Sequence, residues 1–204
     1  MAPHWKSVLK ASQDPENGET LAAIALGGNW PSHFGSPAQT IVSAIGEIAR
    51  VVGAIVAVSR FYRTPAFPIG AGPDFVNAAV LVECAQGCET ELSALHEIEA
   101  NHGRVRERRW GARTLDLDLL FYGAEVRPDE KVWHGWADLA PERQAETAPD
   151  RLILPHPRLQ DRGFVLIPLA DIAPGWRHPV TGVTVAGMAN ALSEEEIAAI
   201  RPWG

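Results

Sequence analysis

The sequence predicts an α+β protein with a ferredoxin-like βαββαβ core, in which an antiparallel sheet carries its helices on one face. Three observations lead to this fold class: short apolar or β-branched runs typical of strands, two segments with apolar residues at helical spacing, and the order strand, helix, strand, strand, helix, strand along the chain. An inserted loop and C-terminal additions extend this core.

The first half of the core consists of a strand, a helix and a second strand. The apolar run 21–26 ends at Gly27-Gly28-Asn29, which is typical of a buried strand that closes in a turn. Ser36-Pro37 is a helix cap with proline at the first helical position, and apolar residues then recur at helical spacing as far as Arg50. The β-branched segment 51–62 predicts the second strand.

The second half of the core repeats this order after a long loop. Residues 63–73 contain three prolines and two glycines, so they can continue neither neighbouring strand, and a loop of this length is usually functional or mobile. The run 74–84 predicts the third strand. Apolar residues within 92–99 predict a helix that ends before Gly103, and 115–122 predicts the fourth strand.

The remaining segments lie outside this core. Residues 1–19 are polar and predict an irregular N-terminal extension to a single domain over 20–204. Residues 124–151 are polar, contain proline and two tryptophans, and predict an inserted loop. Beyond them lie an apolar segment at 164–172 and a capping box at 193–196 that predicts a short final helix.

The charge of the chain is unevenly distributed. The 204 residues carry a net charge of −7, yet segment 104–113 has five arginines and one glutamate, so it sums to 5 − 1 = +4 and the remainder to −11. The acidic balance argues against a general nucleic-acid binder. No apolar run approaches the roughly 18 residues that span a bilayer, so we expect a cytoplasmic protein, monomeric and without a membrane partner. Cys84 and Cys88 predict two ordinary, partly buried thiols.

Two aspartates on the fourth predicted strand are candidate metal ligands. Because side chains alternate along a strand, Asp116 and Asp118 share one face while the leucines between and around them occupy the other. Their Cα atoms would lie about 6–7 Å apart, at roughly 3.3 Å per residue, which is close enough to converge on one or two small cations. Aspartate is disfavoured in strands, so the pair calls for a reason. The competing interpretation is a solvated face of the sheet.

The arginine cluster 104–113 directly precedes this acid pair. Divalent cations on carboxylates beside guanidinium groups form a suitable site for a polyphosphate, since Mg²⁺ bridges phosphate oxygens and arginine binds them bidentately. The chain has no Gly-x-x-x-x-Gly-Lys-Ser/Thr motif, so phosphates would be held by side chains rather than by a P-loop. The alternatives for an arginine run are a solvated face or an RNA-binding patch.

A third candidate group is aromatic and polar. Phe75 and Asn77 are two residues apart on the third predicted strand and face the same side. An aromatic ring beside an amide can hold a flat heterocycle by stacking while the amide recognises its edge. The group also includes Thr64, Pro65, Trp110 and Phe164. Taken singly, each is more often a core or turn residue, and Phe164 in particular has the character of core.

A set of motifs in this chain resembles the family of 6-hydroxymethyl-7,8-dihydropterin pyrophosphokinases, which act in folate biosynthesis. The similarity extends over roughly 21–174. The motifs that carry it occur in this order: Gly27-Gly28-Asn29, Ser59-x-x-Tyr62-x-Thr64-Pro65, Asp74-Phe75-Val76-Asn77-Ala78-Ala79, Ile98-Glu99, Gly103-Arg104-x-Arg106, Arg109-Trp110-Gly111-x-Arg113-Thr114-Leu115-Asp116-Leu117-Asp118, Leu154-Pro155-His156-Pro157 and Arg162-Gly163-Phe164-Val165-Leu166.

The resemblance implies a diphosphotransferase that moves the β,γ-diphosphate of ATP to the hydroxymethyl group of the dihydropterin and releases AMP. It implies two Mg²⁺ ions on Asp116 and Asp118, with Arg104 and Arg113 stabilising charge on the transferred group. The implied ATP-binding residues are Glu99, Arg106, Arg109, Trp110, Leu119, Arg151, His156 and Arg162. The implied pterin-binding residues are Thr64, Pro65, Phe67, Phe75, Asn77, Trp110 and Phe164.

The resemblance also implies that the long loop and the arginine segment act as lids that close over ATP and exclude water. Gly28 and His96 stand where the family commonly has Ser and Gln, and the insertion 124–151 has no counterpart. Two other functions are compatible with parts of the sequence. One is a ferredoxin-like RNA-binding module that uses the arginines and Phe75, and the other is a catalytically silent relative that only binds pterin or ATP.

Overall fold

The protein is described by a computed structural model that covers residues 19–66, 70, 72–104, 113–140, 143 and 147–204. Within these residues the chain forms six strands and six α-helices, together with a 3-10 turn at Leu159–Asp161. The strands are β1 (Thr20–Gly28), β2 (Gly53–Val58), β3 (Tyr62–Thr64), β4 (Phe75–Cys84), β5 (Asp116–Tyr122) and β6 (Arg201–Pro202). The helices are α1 (Pro37–Val51), α2 (Cys88–Asn101), α3 (Glu130–Ala137), α4 (Gly163–Ile172), α5 (Val185–Asn190) and α6 (Glu194–Ala199).

The sheet has the antiparallel arrangement that the sequence predicts. Strand β1 lies between β5 and β4, and β4 pairs in turn with both β2 and β3. The segment predicted as one strand over 51–62 is therefore two short strands along the same partner. The interruption lies at Ser59, whose backbone N–H donates to the Ala79 carbonyl at 2.9 Å while its hydroxyl accepts from the Ala79 N–H at 2.9 Å.

Two apolar layers cover the two faces of the sheet. Helices α1 and α2 pack on one face through residues such as Ile41, Ile48 and Leu95, which are fully buried. This matches the prediction that the two helices of the βαββαβ core lie on one face of the sheet. The opposite face is covered by α4 and α5 of the C-terminal additions, through residues such as Leu166 and Leu169. Both faces of the central strands are consequently buried.

The predicted helix ends follow the expected capping chemistry. Ser36 and Gln39 form a capping box at the start of α1, and Ser193 and Glu196 form another at the start of α6. Gly103, just beyond α2, has φ +79°, which favours glycine over other residues. Over the described ranges, none of the helices has the length and apolar character needed to cross a membrane.

The two cysteines are free, as predicted for ordinary thiols, and both are buried rather than partly buried. Cys84 is completely buried. Burial, reinforced by the Glu91 carboxylate, raises the pKa of Cys84 to about 12. Because the thiolate is the reactive form, this side chain acts as a small apolar residue of the core.

The insertion corrects one sequence expectation, because the segment predicted as a loop over 124–151 contains helix α3. Asp129 caps this helix by accepting a hydrogen bond from the Val132 N–H at 2.9 Å. The indole N–H of the buried Trp133 donates to the Pro155 carbonyl at 2.8 Å. The polar composition of the segment gave no apolar pattern at helical spacing. The helix is instead anchored to the body of the protein by one buried tryptophan, Trp133.

A polar clamp ties α4 to the strand pair β2–β3. The Asp171 carboxylate on α4 accepts hydrogen bonds from the Tyr62 hydroxyl at 2.8 Å and from the Arg60 guanidinium at 2.8 and 3.2 Å, and the Arg60 backbone N–H adds a fourth at 3.2 Å. Burial by itself would raise the pKa of Asp171, but these hydrogen bonds outweigh it, so the pKa lies below its ordinary value. The clamp fixes α4 relative to β3.

The clamp predicts a pH-dependent contribution to stability. A carboxylate whose pKa is lowered by folding stabilises the folded state above its unfolded pKa of about 3.9, and this contribution disappears as the pH falls through the lower folded value. Asp171→Asn should lower the thermal midpoint at pH 7 by about 3–12 °C, the effect of losing one hydrogen bond to a charged group worth about 1.5–3 kcal/mol. The variant should also lose less stability than the parent when the pH is lowered below 4.

Thermal unfolding at a series of pH values checks this prediction. Asp138→Asn is a matched control, because Asp138 lies on the surface just after α3 and its side chain is 76% exposed. Parallel pH profiles for Asp171→Asn and the parent protein would show that the clamp contributes nothing.

Candidate active site

The candidate site lies on the α4 face of the sheet, at the end where β1 stops and β4 and β5 begin. The register places Gly27 of β1 directly between Asn77 of β4 and Asp116 of β5. Two residues before Gly27 on the same face of β1, Ala25 lies between Ala79 and Asp118. Since adjacent strands are about 4.8 Å apart, the Cα atoms of Asn77 and Asp116 are about 10 Å apart across a floor of small residues.

The acid pair has the predicted orientation. Asp116 and Asp118 lie on the α4 face, whereas Leu117 and Leu119 are buried in the core on the opposite face. The Asp116 side chain is only 18% exposed. Its burial, together with the nearby Asp118 carboxylate, raises the pKa of Asp116, while Arg113 and Arg104 act in the opposite direction. The site therefore holds negative charge in a partly dehydrated position.

Three arginines surround these carboxylates. Arg104 lies 2.7 Å from Asp116 and also pairs with the buried Glu99, and Arg113 pairs with the second oxygen of Asp116. Arg162 lies 3.6 Å from Asp118. The carboxylates thus keep cationic side chains at the site in the absence of an anion.

Glu99 links helix α2 to this network. Its Oε1 accepts a hydrogen bond from the Leu117 N–H at 2.7 Å as well as its pairing with Arg104. Because Glu99 is almost completely buried, these contacts fix the end of α2 against the first residues of β5. The sequence resemblance placed Glu99 at the ATP site, and the structure connects it to that region through Arg104.

His156 lies beside β5, where its backbone N–H donates to the Leu120 carbonyl at 2.7 Å. Its Nδ1 accepts a hydrogen bond from the Arg158 N–H at 3.1 Å, so the remaining ring proton belongs on Nε2. Burial, aided by the guanidinium groups of Arg162 and Arg158, lowers the pKa of His156 to about 3. The imidazole is therefore a neutral hydrogen-bond donor at neutral pH.

Arg158 is a residue that sequence analysis missed. Its side chain is 19% exposed, and among the described residues its buried Nε and Nη1 atoms have no hydrogen-bond partner. The Asp161 carboxylate lies 3.5 Å from Nε. A poorly paired guanidinium beside Arg162 and His156 favours an anionic ligand, because buried charged donors need acceptors. The sequence signal was the position of this arginine directly after Pro155-His156-Pro157.

Asn77 and Thr64 form a polar pair between β4 and β3, although Thr64 was predicted to lie in the long loop 63–73 and instead ends β3. The Asn77 side-chain amide donates to the Thr64 hydroxyl at 2.7 Å, and both side chains are buried. Phe75 is the register partner of Thr64 and faces the same side. The interpretation of Phe164 as a core residue was wrong: it lies in the first turn of α4 and is 41% exposed, with the Arg162 guanidinium 5.8 Å from its ring.

Asn29 is a second residue whose importance sequence analysis missed. Its side-chain amide donates to the Pro73 carbonyl at 3.1 Å, and its Oδ1 accepts from the Arg113 N–H at 2.9 Å. Asn29 therefore joins the end of the long loop to the end of the arginine segment. A buried asparagine after two glycines was the available signal, because such a residue needs hydrogen-bond partners.

The other predicted site residues are less closely connected to this cluster. Arg151 is on the surface and pairs with its neighbour Asp150 at 3.0 Å, and the Leu119 side chain points into the opposite core, which leaves its backbone for a ligand. Pro65 is exposed at the end of β3. The remaining predicted residues, Phe67, Arg106, Arg109 and Trp110, lie outside the described part of the chain, as do most of the two predicted lids.

The fold and the site together define a ferredoxin-like protein with an acid pair, an arginine network and a buried amide on one face. Comparison of the sequence with known families identifies the family to which a chain with this fold and site belongs. Residues 23–174 match the family described as 7,8-dihydro-6-hydroxymethylpterin-pyrophosphokinase, HPPK. This match spans about three quarters of the chain, and the chain belongs to the HPPK family.

Curated relatives carry the corresponding name. The 2-amino-4-hydroxy-6-hydroxymethyldihydropteridine pyrophosphokinase of Synechocystis sp. is 39% identical over 165 residues, which is 80% of this chain and 72% of the relative. The enzyme of that name from Methylorubrum extorquens is 37% identical over 157 residues, 76% of this chain and 84% of the relative.

Solved structures support the fold. The crystal structure of wild-type HPPK-DHPS from Plasmodium falciparum superposes with a TM-score of 0.60 at 15% sequence identity, over 89% of this chain and 46% of that one. The present chain therefore spans less than half of that longer protein.

The register at Gly27 predicts that this position tolerates no side chain. A Cβ atom on Gly27 would lie 2.9 Å from the Asn77 Oδ1 atom, and the hydrogen bond from the Asn77 amide nitrogen to the Thr64 hydroxyl limits how far this side chain can move away. Gly27→Ala should therefore lower the free energy of unfolding by about 1–3 kcal/mol, the usual cost of overpacking. Gly46 in α1 has open space around it, so Gly46→Ala should instead increase the free energy of unfolding by about 0.5–1 kcal/mol.

Urea denaturation of both variants measures this difference. Equal or increased stability of Gly27→Ala would contradict the close approach of Asn77 to β1.

Proposed function

We propose that this protein transfers the β,γ-diphosphate of ATP to the hydroxymethyl group of 6-hydroxymethyl-7,8-dihydropterin, giving AMP and the pterin diphosphate in folate biosynthesis. Its membership of the HPPK family supports this assignment. The observation that carries it is the register at Gly27, which sets a heterocycle-recognising amide and an acid pair on one face about 10 Å apart.

The pterin would bind on the β3–β4 side of the site. Asn77 and Thr64 form a buried polar pair that suits the hydrogen-bonding edge of a flat heterocycle. Phe75 and the exposed ring of Phe164 would stack on its two faces, which accounts for a large apolar side chain that faces solvent. The Pro65 backbone extends this surface, and the resemblance adds Phe67 and Trp110.

The acid pair suits Mg²⁺. Across the described ranges, no cluster of three or more His, Cys, Asp and Glu side chains could hold a metal alone. Mg²⁺ commonly binds through one or two carboxylates together with phosphates and water, so Asp116 and Asp118 are sufficient. Their partly buried, mutually repelling charges provide a second reason, because a cation relieves both. Two Mg²⁺ ions held there would neutralise charge on the transferred group and orient it.

The arginines would act on the phosphates by exchanging partners. Arg104 and Arg113 pair with Asp116 in the structure, and we expect them to turn toward phosphate oxygens when that carboxylate binds a cation. Glu99 would remain behind Arg104 and limit the directions in which it can turn. The exchange preserves charge neutralisation, because Mg²⁺ would replace the arginines beside Asp116 and the phosphates of ATP would replace Asp116 beside the arginines.

The remainder of ATP would lie along the segment that contains His156, Arg158 and Arg162. The neutral His156 offers an N–H donor, and Arg158 offers guanidinium nitrogens that make no hydrogen bond within the described part of the chain. The resemblance adds Arg106, Arg109, Trp110, Leu119 and Arg151 to this side. In the transfer, the pterin hydroxyl loses its proton to solvent as its oxygen bonds to the β-phosphorus, the bond from that phosphorus to the α,β-bridging oxygen breaks, and AMP leaves with the bridging oxygen.

We also propose that residues 20–204 work as a single domain, as a cytoplasmic monomer without a nucleic-acid partner. The arginines that could form an RNA-binding patch support this view, since Arg104 and Arg113 are engaged by carboxylates. Analytical ultracentrifugation with and without single-stranded RNA should give one species near 22.1 kDa in both cases.

The reaction products test the proposed function. With Mg²⁺, ATP and the hydroxymethyl dihydropterin, the protein should form AMP and pterin diphosphate in equal amounts, and a chelator should stop the reaction until Mg²⁺ is restored. Anion-exchange chromatography separates the nucleotides. ADP as the product, or no pterin-dependent AMP, would contradict a diphosphate transfer.

The acid pair provides a second test. Asp116→Asn and Asp118→Asn should each lower kcat by at least about 10²–10³-fold, because each removes charge that positions the transferred group. The surface variant Asp138→Asn should keep the parent rate. Circular dichroism should show an unchanged fold in all three, and near-normal turnover by either site variant would refute the assignment of the acid pair.

A further inference from the structure

The C-terminal residues beyond the family match contact the immediate neighbours of Thr64 and Phe164, two residues of the proposed pterin site. The family match ends at residue 174, whereas the chain continues through α5 and α6 to β6. We propose that Ile200–Trp203, here called the C-terminal clasp, is a positioning element that sets the spacing between β3 and the start of α4. This inference rests on the proposed function.

The clasp attaches to β3 as an added edge strand. Arg201 and Pro202 pair antiparallel with Arg63 and Tyr62, and the Trp203 N–H donates to the Phe61 carbonyl at 2.8 Å. Strand β3 is only three residues long, so a short strand along its outer edge constrains most of its backbone. Pro202 lacks an N–H group and is tolerated because β6 is itself an edge strand.

A side-chain contact strengthens this attachment. The Arg63 guanidinium lies 4.7 Å from the centre of the Trp203 ring, within the range of a cation–π interaction. Arg63 is the residue before Thr64, so a contact that fixes Arg63 also fixes the backbone that carries the Thr64 hydroxyl. Pro65, Arg201 and Trp203 line one cavity of about 620 Å³, which places the clasp next to the end of β3.

The clasp also reaches the first turn of α4. The Ile200 Cδ1 atom lies 2.9 Å from the position that a Cβ on Gly163 would occupy, so Ile200 packs directly against this glycine. Gly163 immediately precedes Phe164, the exposed ring on the α4 side of the site. The clasp therefore bridges the strand that carries Thr64 and the helix turn that carries Phe164.

This bridge is independent of the Asp171 clamp, which ties β3 to the far end of α4. The clasp contact at the start of α4 and the clamp at its far end both oppose movement of α4 away from β3. Loosening the clasp should widen the gap between Thr64 and Phe164, and it should leave the acid pair and the segment around His156 in place. The expected effect is weaker pterin binding with unchanged ATP binding.

The test compares Trp203→Ala and Ile200→Ala with the control Ile197→Ala, which removes a 42% exposed isoleucine from α6. Steady-state kinetics give KM for pterin and for ATP, and fluorescence titration gives pterin Kd directly. Each clasp variant should raise KM and Kd for pterin by about three- to tenfold, as expected for loss of a cation–π contact or of packing, with KM for ATP and kcat nearly unchanged. Trp203→Phe, which keeps an aromatic ring, should restore most of the affinity.

The outcomes distinguish the inference from the proposed function. Unchanged pterin constants in both clasp variants, or equal increases for pterin and ATP, would overturn the positioning role. If either alanine variant unfolds below the assay temperature, Trp203→Leu, which removes the aromatic ring but keeps an apolar side chain, or Ile200→Val takes its place with the same criteria. Failure of the parent protein to form AMP in a pterin-dependent reaction would instead overturn the proposed function and leave the clasp as a structural contact alone.

Discussion

The site depends on the register of one central strand. Strand β1 pairs with β4 on one side and β5 on the other, and its glycine at position 27 lies at the height of both Asn77 and Asp116. A larger side chain there would occupy the space between the two functional groups, and a shift of register by one residue would turn Asn77 or Asp116 into the opposite core. The separation of the two half-sites is thus built into the sheet.

The electrostatics of the site are arranged before any ligand binds. Asp116 lies partly buried among cations, and Glu99 and Asp118 complete a set of paired charges. Buried charges are costly unless they are paired, so this network holds the arginines in position while their carboxylate partners offset part of the cost of removing both charges from water. An incoming polyphosphate with its cations would replace these pairs by others of the same kind, which is preorganisation of the type that phosphoryl-type transfer requires.

Much of this could be predicted from the sequence because it depends on local pattern. Alternation along 115–122 fixed the face of the acid pair, and caps and apolar spacing gave the helices of the core. What escaped depends on how distant segments meet in the folded chain. Asn29 bridges two loops, two guanidinium nitrogens of Arg158 are buried without a hydrogen bond to any described residue, and Phe164 is exposed within an apolar run. Helix α3 was not predicted because its segment is polar, and only one buried tryptophan attaches it to the rest of the protein.

The central claim is that pterin and metal-bound phosphates share one face, separated by the floor at Gly27. Its most direct measurement is the NMR linewidth of the bound pterin protons in the presence of a non-hydrolysable ATP analogue, with Mn²⁺ in place of Mg²⁺. The account predicts strong paramagnetic broadening of the hydroxymethyl protons, which face the acid pair, and loss of that broadening in Asp116→Asn. Equal linewidths with Mn²⁺ and Mg²⁺ in the parent protein would contradict it.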